Sequence, residues 1–508
     1  MRLYLVNPLN PLVSLTQVSE NSWNQFRVWK PLGLLVVAAL TPNDWEIEIF
    51  DENLQQFDYE SLPPPDLVGI TAFTSQATRA YELASEFRSR GIPVALGGVH
   101  VSTCLEEAQR YADVVVTGEA ESAWPQVCAD LERGELAPVY HGEFVPMEQI
   151  PQARHDLLPT GYRFGSIQTT RGCPLNCSFC SVTVFNGSRY RHRPAEAVVA
   201  ELAAIKEKLV LFVDDNLIGT RQDHIERSKQ LFRAIIAAKL NKKWIAQVTV
   251  NLADDEELLA LAAEAGMIGV LIGFESTTVE GLNEVHKKFN VQKGRDFRAS
   301  MQRIQAHGIM VIGSFIMGLD VDKKGVGKRI AEAATSYGVD LINVLFLTPL
   351  PGTKLWKDMD RQGRIAASNF PEDWKHYTLI HPVATHNHMT WDELINEVLT
   401  CFYEFYSLQN IARRTVGGLW RTRRSWRKRI PLGSLASAAA NLSYRFNIKI
   451  DKKNYSKLDK SRGESYQQKL ARGAAVPLSS AEHQSAGPLI PLRVIERRKP
   501  RRSPVSSS

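Results

Sequence analysis

Three thiols fall within eight residues of one another, in the segment Thr169-Thr170-Arg171-Gly172-Cys173-Pro174-Leu175-Asn176-Cys177-Ser178-Phe179-Cys180. The spacing is C-x3-C-x2-C. It offers three thiolates to a [4Fe–4S] cube, whose usual count is four. A cube held by three leaves one iron open, and an open coordination position is what substrate chemistry at a metal requires. Two duller readings compete. Steps of four and three put all three side chains on one helix face, where they would be buried core cysteines, but Gly172, Pro174 and Asn176 are poor helix residues. A zinc site completed by His192 matches no common zinc spacing. Close thiols in a chain without a disulfide framework favour metal.

The elements that must position this segment follow from the rest of the pattern. Strand-like runs at Ser166–Thr170, Leu209–Val213, Trp244–Val250, Ile268–Phe274, Met310–Met317 and Leu341–Leu347 alternate with helical stretches at about 194–208, 222–239, 254–265, 293–307 and 325–337. Gly266, Gly308 and Gly338 stand where the last three helices should stop. Six βα units in a row predict an open, partial TIM-like (β/α)6 barrel, with chemistry at the C-terminal ends of its strands. The cysteine segment follows the first of them. Asp214 and Asp215 end the second strand, Gln247 lies on the third, Glu275 ends the fourth and Ser314 lies near the end of the fifth. Such polar groups can hydrogen-bond an ammonium or ribose hydroxyls. The competing role for the acids is capping of the following helices.

Residues 1–140 form a separate α/β series. Leu3–Val6, Glu46–Phe50, Leu67–Ala72, Val94–Leu96 and Val114–Val116 read as strands, with a helix from about Thr78 to Arg90. Glycines stand just past the strand ends at Gly97-Gly98 and Gly118. The pattern predicts a doubly wound, Rossmann-like parallel sheet that binds ligands beyond its strand ends. Residues 141–163, with Pro146, Pro151 and Pro159, read as a linker. The barrel spans 164–385. A helical basic region covers 386–454 and opens with the capping box Thr390-Trp391-Asp392-Glu393. The polar, basic, Pro/Ser-rich stretch 455–508 reads as a disordered tail.

With these residues in place, C-x3-C-x-Φ-C after the first strand of a βα series resembles the radical SAM superfamily over about 164–350. The resemblance implies that Cys173, Cys177 and Cys180 hold a [4Fe–4S] cluster, that S-adenosylmethionine (SAM) chelates the open iron, and that Phe179 packs near the adenine. It further implies one-electron cleavage of SAM to methionine and a 5′-deoxyadenosyl radical. Asp214, Asp215, Gln247, Glu275 and Ser314 become the expected SAM pocket. An electron donor such as flavodoxin or ferredoxin is implied as a partner.

The first 140 residues resemble the cobalamin-binding domain found ahead of many radical SAM barrels. Thr71-Ala72-Phe73 and Gly97-Gly98 stand where that family's serine-x-leucine stretch and double glycine lie. The implied cobalamin residues are Thr71, Gly97, Gly98 and Gly118. The family's Asp-x-His-x-x-Gly motif, which supplies a lower-axial histidine, has no match: the region reads Asn7-Pro8-Leu9-Asn10-Pro11. The combined resemblance implies a cobalamin-dependent methyltransferase acting on an unactivated carbon. The rivals are a radical SAM rearrangement, cyclisation or carbon–carbon bond-forming enzyme without methyl transfer, and a non-catalytic iron–sulfur or cobalamin sensor that binds nucleic acid.

The remaining features set bounds. The chain has 508 residues, 44% hydrophobic and 23% charged, enough for two or three globular domains. Cys104, Cys128 and Cys401 are scattered, so a second cluster is not expected, and Cys401 reads as a packed thiol. Of the net charge of +6, much lies beyond residue 410. Residues 412–430 carry eight Lys or Arg and no acid, with Trp420 and Trp426 interleaved. That pattern can grip RNA phosphates or lie on an anionic membrane surface, and a solvated basic face before the tail is the competing reading; no recognisable RNA-binding module accompanies it, so the membrane is preferred and nucleic acid is not the expected partner. The N-terminus reads as a strand and not a signal peptide, and the longest apolar run is far short of the roughly 20 residues that cross a bilayer. The expected location is the cytoplasm, with peripheral attachment to the membrane. The substrate is not legible.

Overall fold

Apolar side chains on both faces of a strand require cover on both sides, and the N-terminal strands are of that kind. In the computed structural model, which describes residues 1–11, 28–158, 161–290, 294–422, 432–456 and 461–471, six of them form one sheet. They are β1 (Arg2–Asn7), β2 (Glu46–Asp51), β3 (Leu67–Thr71), β4 (Val94–Gly97), β5 (Val114–Thr117) and β6 (Val139–His141). All are parallel, in the order β2-β1-β3-β4-β5-β6. Tyr4 and Val6 pack on one face, with the helix Ala77–Ser89. Leu3 and Leu5 pack on the other, against Leu34 and Ala38 of the helix Leu32–Leu40 and Trp124 and Val127 of the helix Ala120–Arg133. The chain leaves β1 toward β2 on one side and returns to β3 on the other. The crevice for a ligand in such a sheet lies at this switch, beyond the C-terminal ends of β1 and β3.

The second sheet repeats the logic with helices on one face only. After β7 (Phe164–Ile167) comes a short antiparallel pair, β8 (Thr170–Arg171) and β9 (Arg191–His192). Then follow β10 (Leu209–Phe212), β11 (Lys243–Val248), β12 (Met267–Glu275), β13 (Met310–Met317) and β14 (Leu341–Phe346). The order is β14-β13-β12-β11-β10-β7, all parallel, with β7 and β14 at the two edges. This is the open six-stranded barrel the sequence predicts. Helices Ala195–Ala204, Gln222–Ala238, Glu256–Glu264, Phe297–Ala306 and Val326–Tyr337 carry the crossovers. Outward residues such as Val210, Phe212, Trp244, Val270, Phe315 and Val344 form the core beneath them. Trp244 is fully buried; its ring lies 4.5 Å from that of Phe212 and 5.4 Å from that of Phe232, and its Nε1 donates to the Ala265 carbonyl at 3.0 Å.

The structure differs from the sequence reading in several places. The helices Leu32–Leu40 and Ala120–Arg133 and the strand β6 were not expected. The first helix is apolar all round and shows no 3.6-residue period. The second carries Pro125 inside it. The helix expected over about 390–410 is two: Trp391–Phe405, with its capping box formed, and Leu408–Thr422. A third, Leu432–Ser456, packs against the second. Cys401 is fully buried in the barrel core. Residues 461–471, assigned above to a disordered tail, are placed against the fold: the Gly463 carbonyl accepts from the Trp391 amide at 3.0 Å, and the short helix Tyr466–Ala471 begins with the Tyr466 amide donating to the His386 carbonyl at 2.8 Å. Residues 472–508 lie outside the described residues. No described helix is long and apolar enough to cross a membrane.

Trp244 fills the space between two helices and two strands, so its removal leaves a cavity that rigid neighbours cannot close. Trp244→Ala is expected to destabilise the barrel by about 3–5 kcal/mol, read as a lowered urea midpoint of the full chain.

Candidate functional site

The cysteine loop runs from β8 to β9 and is pinned at both ends and in the middle. Gly172 has φ +83°, and a Cβ there would lie 2.3 Å from the Arg189 carbonyl oxygen, so only glycine makes this turn. The Cys173 amide donates to Gly187 at 3.2 Å, and the Ser178 amide to Val285 at 3.2 Å. The Leu355 amide donates to the Ser178 carbonyl at 2.9 Å. Cys177 is buried and the other two thiols are half-buried. Burial pushes all three upward, Cys177 to about 11 and Cys180 to about 12. The Cys177 thiol senses the charge of Cys173, and the Cys180 thiol senses that of both others. Among the described residues no group of three or more His, Cys, Asp or Glu closes on a single ion. Neighbouring soft donors in a loop fixed by its backbone fit an iron–sulfur cluster.

Two carboxylates hold the loop from below. Asp215 accepts from the Gly172 amide at 3.3 Å and from Asn186 Nδ2 at 2.9 Å. Asp214 is fully buried, and its Oδ1 accepts from the Thr169 amide (2.9 Å), Thr169 Oγ1 (3.1 Å), Thr170 Oγ1 (2.6 Å) and the Thr170 amide. Asp214 was expected in the SAM pocket. With no exposed surface and four donors on one oxygen, it braces the turn that leads into the cysteine loop.

Opposite the thiols, β12 ends in a bulge between Gly273 and Glu275. Glu275 is buried with φ +64°, a conformation that non-glycine residues rarely hold without a local reason. The reason on view is Lys287, whose Nζ lies 2.7 Å from Glu275 Oε1. Burial lowers the Lys287 pKa, but Glu275 and the thiols of Cys177 and Cys180 outweigh it and raise it overall. Lys287 is thus within electrostatic reach of Cys177 and Cys180. Sequence reasoning did not nominate it, because a lysine in the loop after a strand-end acid has no distinguishing spacing. Phe179 packs against the apolar group of Val285, Ile316, Leu319 and Leu347 at the same mouth. Gln247 and Ser314 alternate with outward core residues and so stand on the barrel's inner face; Gln247 is exposed, and Ser314 is in register with Gly273 and Asn343.

The N-terminal strand ends form the second half of the site. Thr71 and Gly97 end β3 and β4 in register. Gly98 has φ +99°, and a Cβ there would press on Thr71 Oγ1 and the Ala72 carbonyl at 2.9 Å. The Gly118 amide donates to Ser102 Oγ at 3.0 Å. Phe73, just past β3 at the switch point, is 64% exposed. His100 is fully buried, with Tyr81 Oη at 3.1 Å, Glu107 at 3.5 Å and the Trp374 ring at its edge. Close-approach glycines and an exposed aromatic ring above the crevice fit a flat cofactor, and His100, turned into the core, fits one without a histidine ligand from this turn. The two halves meet directly. Glu119, next to Gly118, accepts from Arg191 at 2.5 and 3.0 Å and from the Val145 amide at 2.9 Å, and lies 3.3 Å from Arg171; Arg171 also reaches Glu121 at 2.5 Å.

Comparison with known proteins agrees with this geometry. Residues 167–325 match the radical SAM superfamily, and residues 27–127 match the B12 binding domain. An uncharacterized methyltransferase of Synechocystis sp. is 30% identical over 416 residues, which cover 80% of this chain and 76% of that protein. The bacteriochlorophyllide d C-8(2)-methyltransferase of Chlorobaculum tepidum is 28% identical over 411 residues, covering 76% and 88%. Among solved structures, the radical S-adenosylmethionine methyltransferase TsrM from Kitasatospora setae, with cobalamin and a [4Fe-4S] cluster bound, superposes with a TM-score of 0.56 over 72% of this chain and 78% of that one. At 21% identity that likeness is one of fold.

Burial lifts the Asp214 carboxyl to about 6, against the pull of the Thr170 hydroxyl. An acid raised on folding contributes stability that is present below its unfolded value, near 4, and is lost as pH rises through about 6. Asp214→Asn keeps an acceptor for the threonine donors but does not titrate. The drop in urea midpoint between about pH 4 and pH 7 is therefore expected to shrink in the variant, by the equivalent of roughly 1–3 kcal/mol. Equal pH profiles for the two proteins would refute this role.

Proposed function

The chain belongs to the cobalamin-dependent radical SAM methyltransferases, and from that premise we propose that Cys173, Cys177 and Cys180 hold the cluster while Asp215, Gln247, Glu275 and Ser314 line the SAM pocket beside Phe179. When bound, the cluster supplies the electron that splits a carbon–sulfur bond of SAM, and cobalamin carries the methyl group. The chain's own residues do the rest. Asp214 and Asp215 hold the loop that presents the thiols. Glu275 positions Lys287, whose charge offsets that of the thiolates and attracts a carboxylate. Phe179 offers an apolar face to the adenine. Thr71, Gly97, Gly98 and Gly118 give the strand ends over which cobalamin lies. The observation that carries this reading is the convergence of the cysteine loop and the Glu275–Lys287 pair at one barrel mouth, with the glycine-lined strand ends of the other sheet joined to it through Glu119. The reaction also needs an external reductant, for which we propose flavodoxin or ferredoxin.

We propose further that the protein acts in the cytoplasm at an anionic membrane surface, met by its C-terminal helices, and takes a largely apolar substrate with an unactivated carbon. Of the basic stretch 412–430, the part from 423 lies outside the described residues. The described parts leave Leu408, Val416, Leu442 and Phe446 exposed, Phe446 by 70%. Leu442 and Phe446 are one helical turn apart and share a face. The Chlorobaculum relative is named as a methyltransferase of bacteriochlorophyllide d.

Two experiments test these readings. Anaerobically reconstituted protein, given dithionite and SAM, is expected to yield both 5′-deoxyadenosine and S-adenosylhomocysteine, and Cys177→Ala to yield neither. Deoxyadenosine alone would overturn methyl transfer. In flotation with anionic vesicles the protein is expected to rise with the lipid and Phe446→Glu to weaken it; a wild-type protein that stays at the bottom sinks the membrane proposal.

A further inference from the structure

We propose that Glu119 is a positioning residue that sets the spacing between the two cofactor sites, by clamping the strand end of the N-terminal sheet to both ends of the cysteine loop. The proposal rests on the preceding assignment of those sites. Arg171 and Arg191 are register partners in the β8–β9 pair. The loop between them, residues 172–190, contains all three cysteines. Glu119 is 3% exposed and bonds Arg191 through both carboxylate oxygens, with Arg171 at 3.3 Å. A single carboxylate thus reaches both stems of the loop.

The grip is rigid on either side. A Cβ on Gly118 would lie 2.2 Å from the Gly142 carbonyl oxygen, and one on Gly142 would lie 2.1 Å from that of Glu119. The turn bearing Glu119 is therefore locked to the backbone just past β6. On the other side the Arg191 guanidinium stacks 4.6 Å from the Phe144 ring and donates to the Val145 carbonyl at 3.0 Å and the Asn186 carbonyl at 3.3 Å. Arg171 also donates to Glu121 through Nη2 and to Gln168 Oε1 through Nε, so two guanidinia face two carboxylates largely away from water. Buried charge pairs of this kind are weak sources of net stability but strict about geometry. Transfer of a group between two bound cofactors needs that strictness, since a displacement of about 1 Å can cost about 100-fold in rate. SAM cleavage needs only the thiols in place within the barrel, and Asp215, Gly187 and Val285 still pin their loop when the Glu119 contact is lost.

The test uses full-length Glu119→Gln, reconstituted with cluster and cobalamin, with iron content and the cobalamin absorbance checked against wild type. Formation of S-adenosylhomocysteine is expected to fall by about 100-fold, while 5′-deoxyadenosine formation stays within about two-fold. Amide hydrogen exchange is expected to rise together in residues 170–173 and 190–193. Arg191→Lys, which keeps the charge but loses the fork, is expected to fall between the two, and is read in its place if Glu119→Gln does not fold. Equal loss of both products, or no change in either, overturns the proposal. If wild-type protein makes no S-adenosylhomocysteine, the methyl-transfer reading fails, and the exchange data alone decide the clamp: raised exchange at the hairpin upholds it, and unchanged exchange overturns it.

Discussion

A parallel barrel strand ends by pointing its last amides at the active-site mouth, and something must turn the chain before it can carry ligands there. In this protein that task falls on Asp214. Its Oδ1 gathers the amides and hydroxyls of Thr169 and Thr170, so β7 cannot run straight on. Arg227 and Arg193 back the same turn through the Thr169 and Gln168 carbonyls. The chain then enters β8, Gly172 reverses it, and the thiols follow in a fixed frame. A buried acid with one oxygen saturated and the other without a partner is costly by itself. It is tolerated because the loop it shapes would otherwise have no defined path.

The same economy explains the mouth as a whole. Phe179, Glu275, Lys287 and the cysteines come from the first and fourth βα units, yet they are held by backbone bonds from Val285 and Leu355 as well as by their own strands. On the inner face of β12, Gly273 makes room for the Glu275 carboxylate and the Lys287 ammonium, which a Cβ there would meet at 2.2 and 2.9 Å. Rigid supports around a few polar groups are the arrangement that lets an active site keep its geometry through a reaction.

Much of this was legible before any coordinates. The alternation of apolar runs with stopped helices located every strand of the two sheets except β6 to within a few residues, because parallel strands buried between helices are mostly apolar. The thiol spacing marked the loop, since its glycine, proline and asparagine rule out a helix. What stayed hidden has physical reasons. Leu32–Leu40 is uniformly apolar and shows no period. Ala120–Arg133 contains a proline that its first turns accommodate. Lys287 acquires its meaning only by folding next to Cys177 and Cys180. Asp214 and Asp215 are adjacent in sequence and alike in type; which of them faces inward depends on the strand's pleat at its last residue, where β10 stops being regular. The segment 461–471 is polar enough to read as tail, yet it docks through backbone bonds and through polar side chains such as Arg462, Gln467 and Lys469, whose partners are distant in sequence.

The contact between the two sheets limits how such proteins can be assembled from parts. The two βα units look separable: each has its own hydrophobic core, and the stretch between them is rich in proline. Their join, however, matches acids on one unit to arginines on the other, with Glu119 and Glu121 on the first and Arg171 and Arg191 on the second. A chimera cut between residues 141 and 163 would inherit its acids from one parent and its arginines from the other. Domain shuffling in this architecture should therefore succeed only between parents that carry the same charge pattern at this seam. Lineages would then exchange barrels and N-terminal sheets as matched pairs, not as free modules.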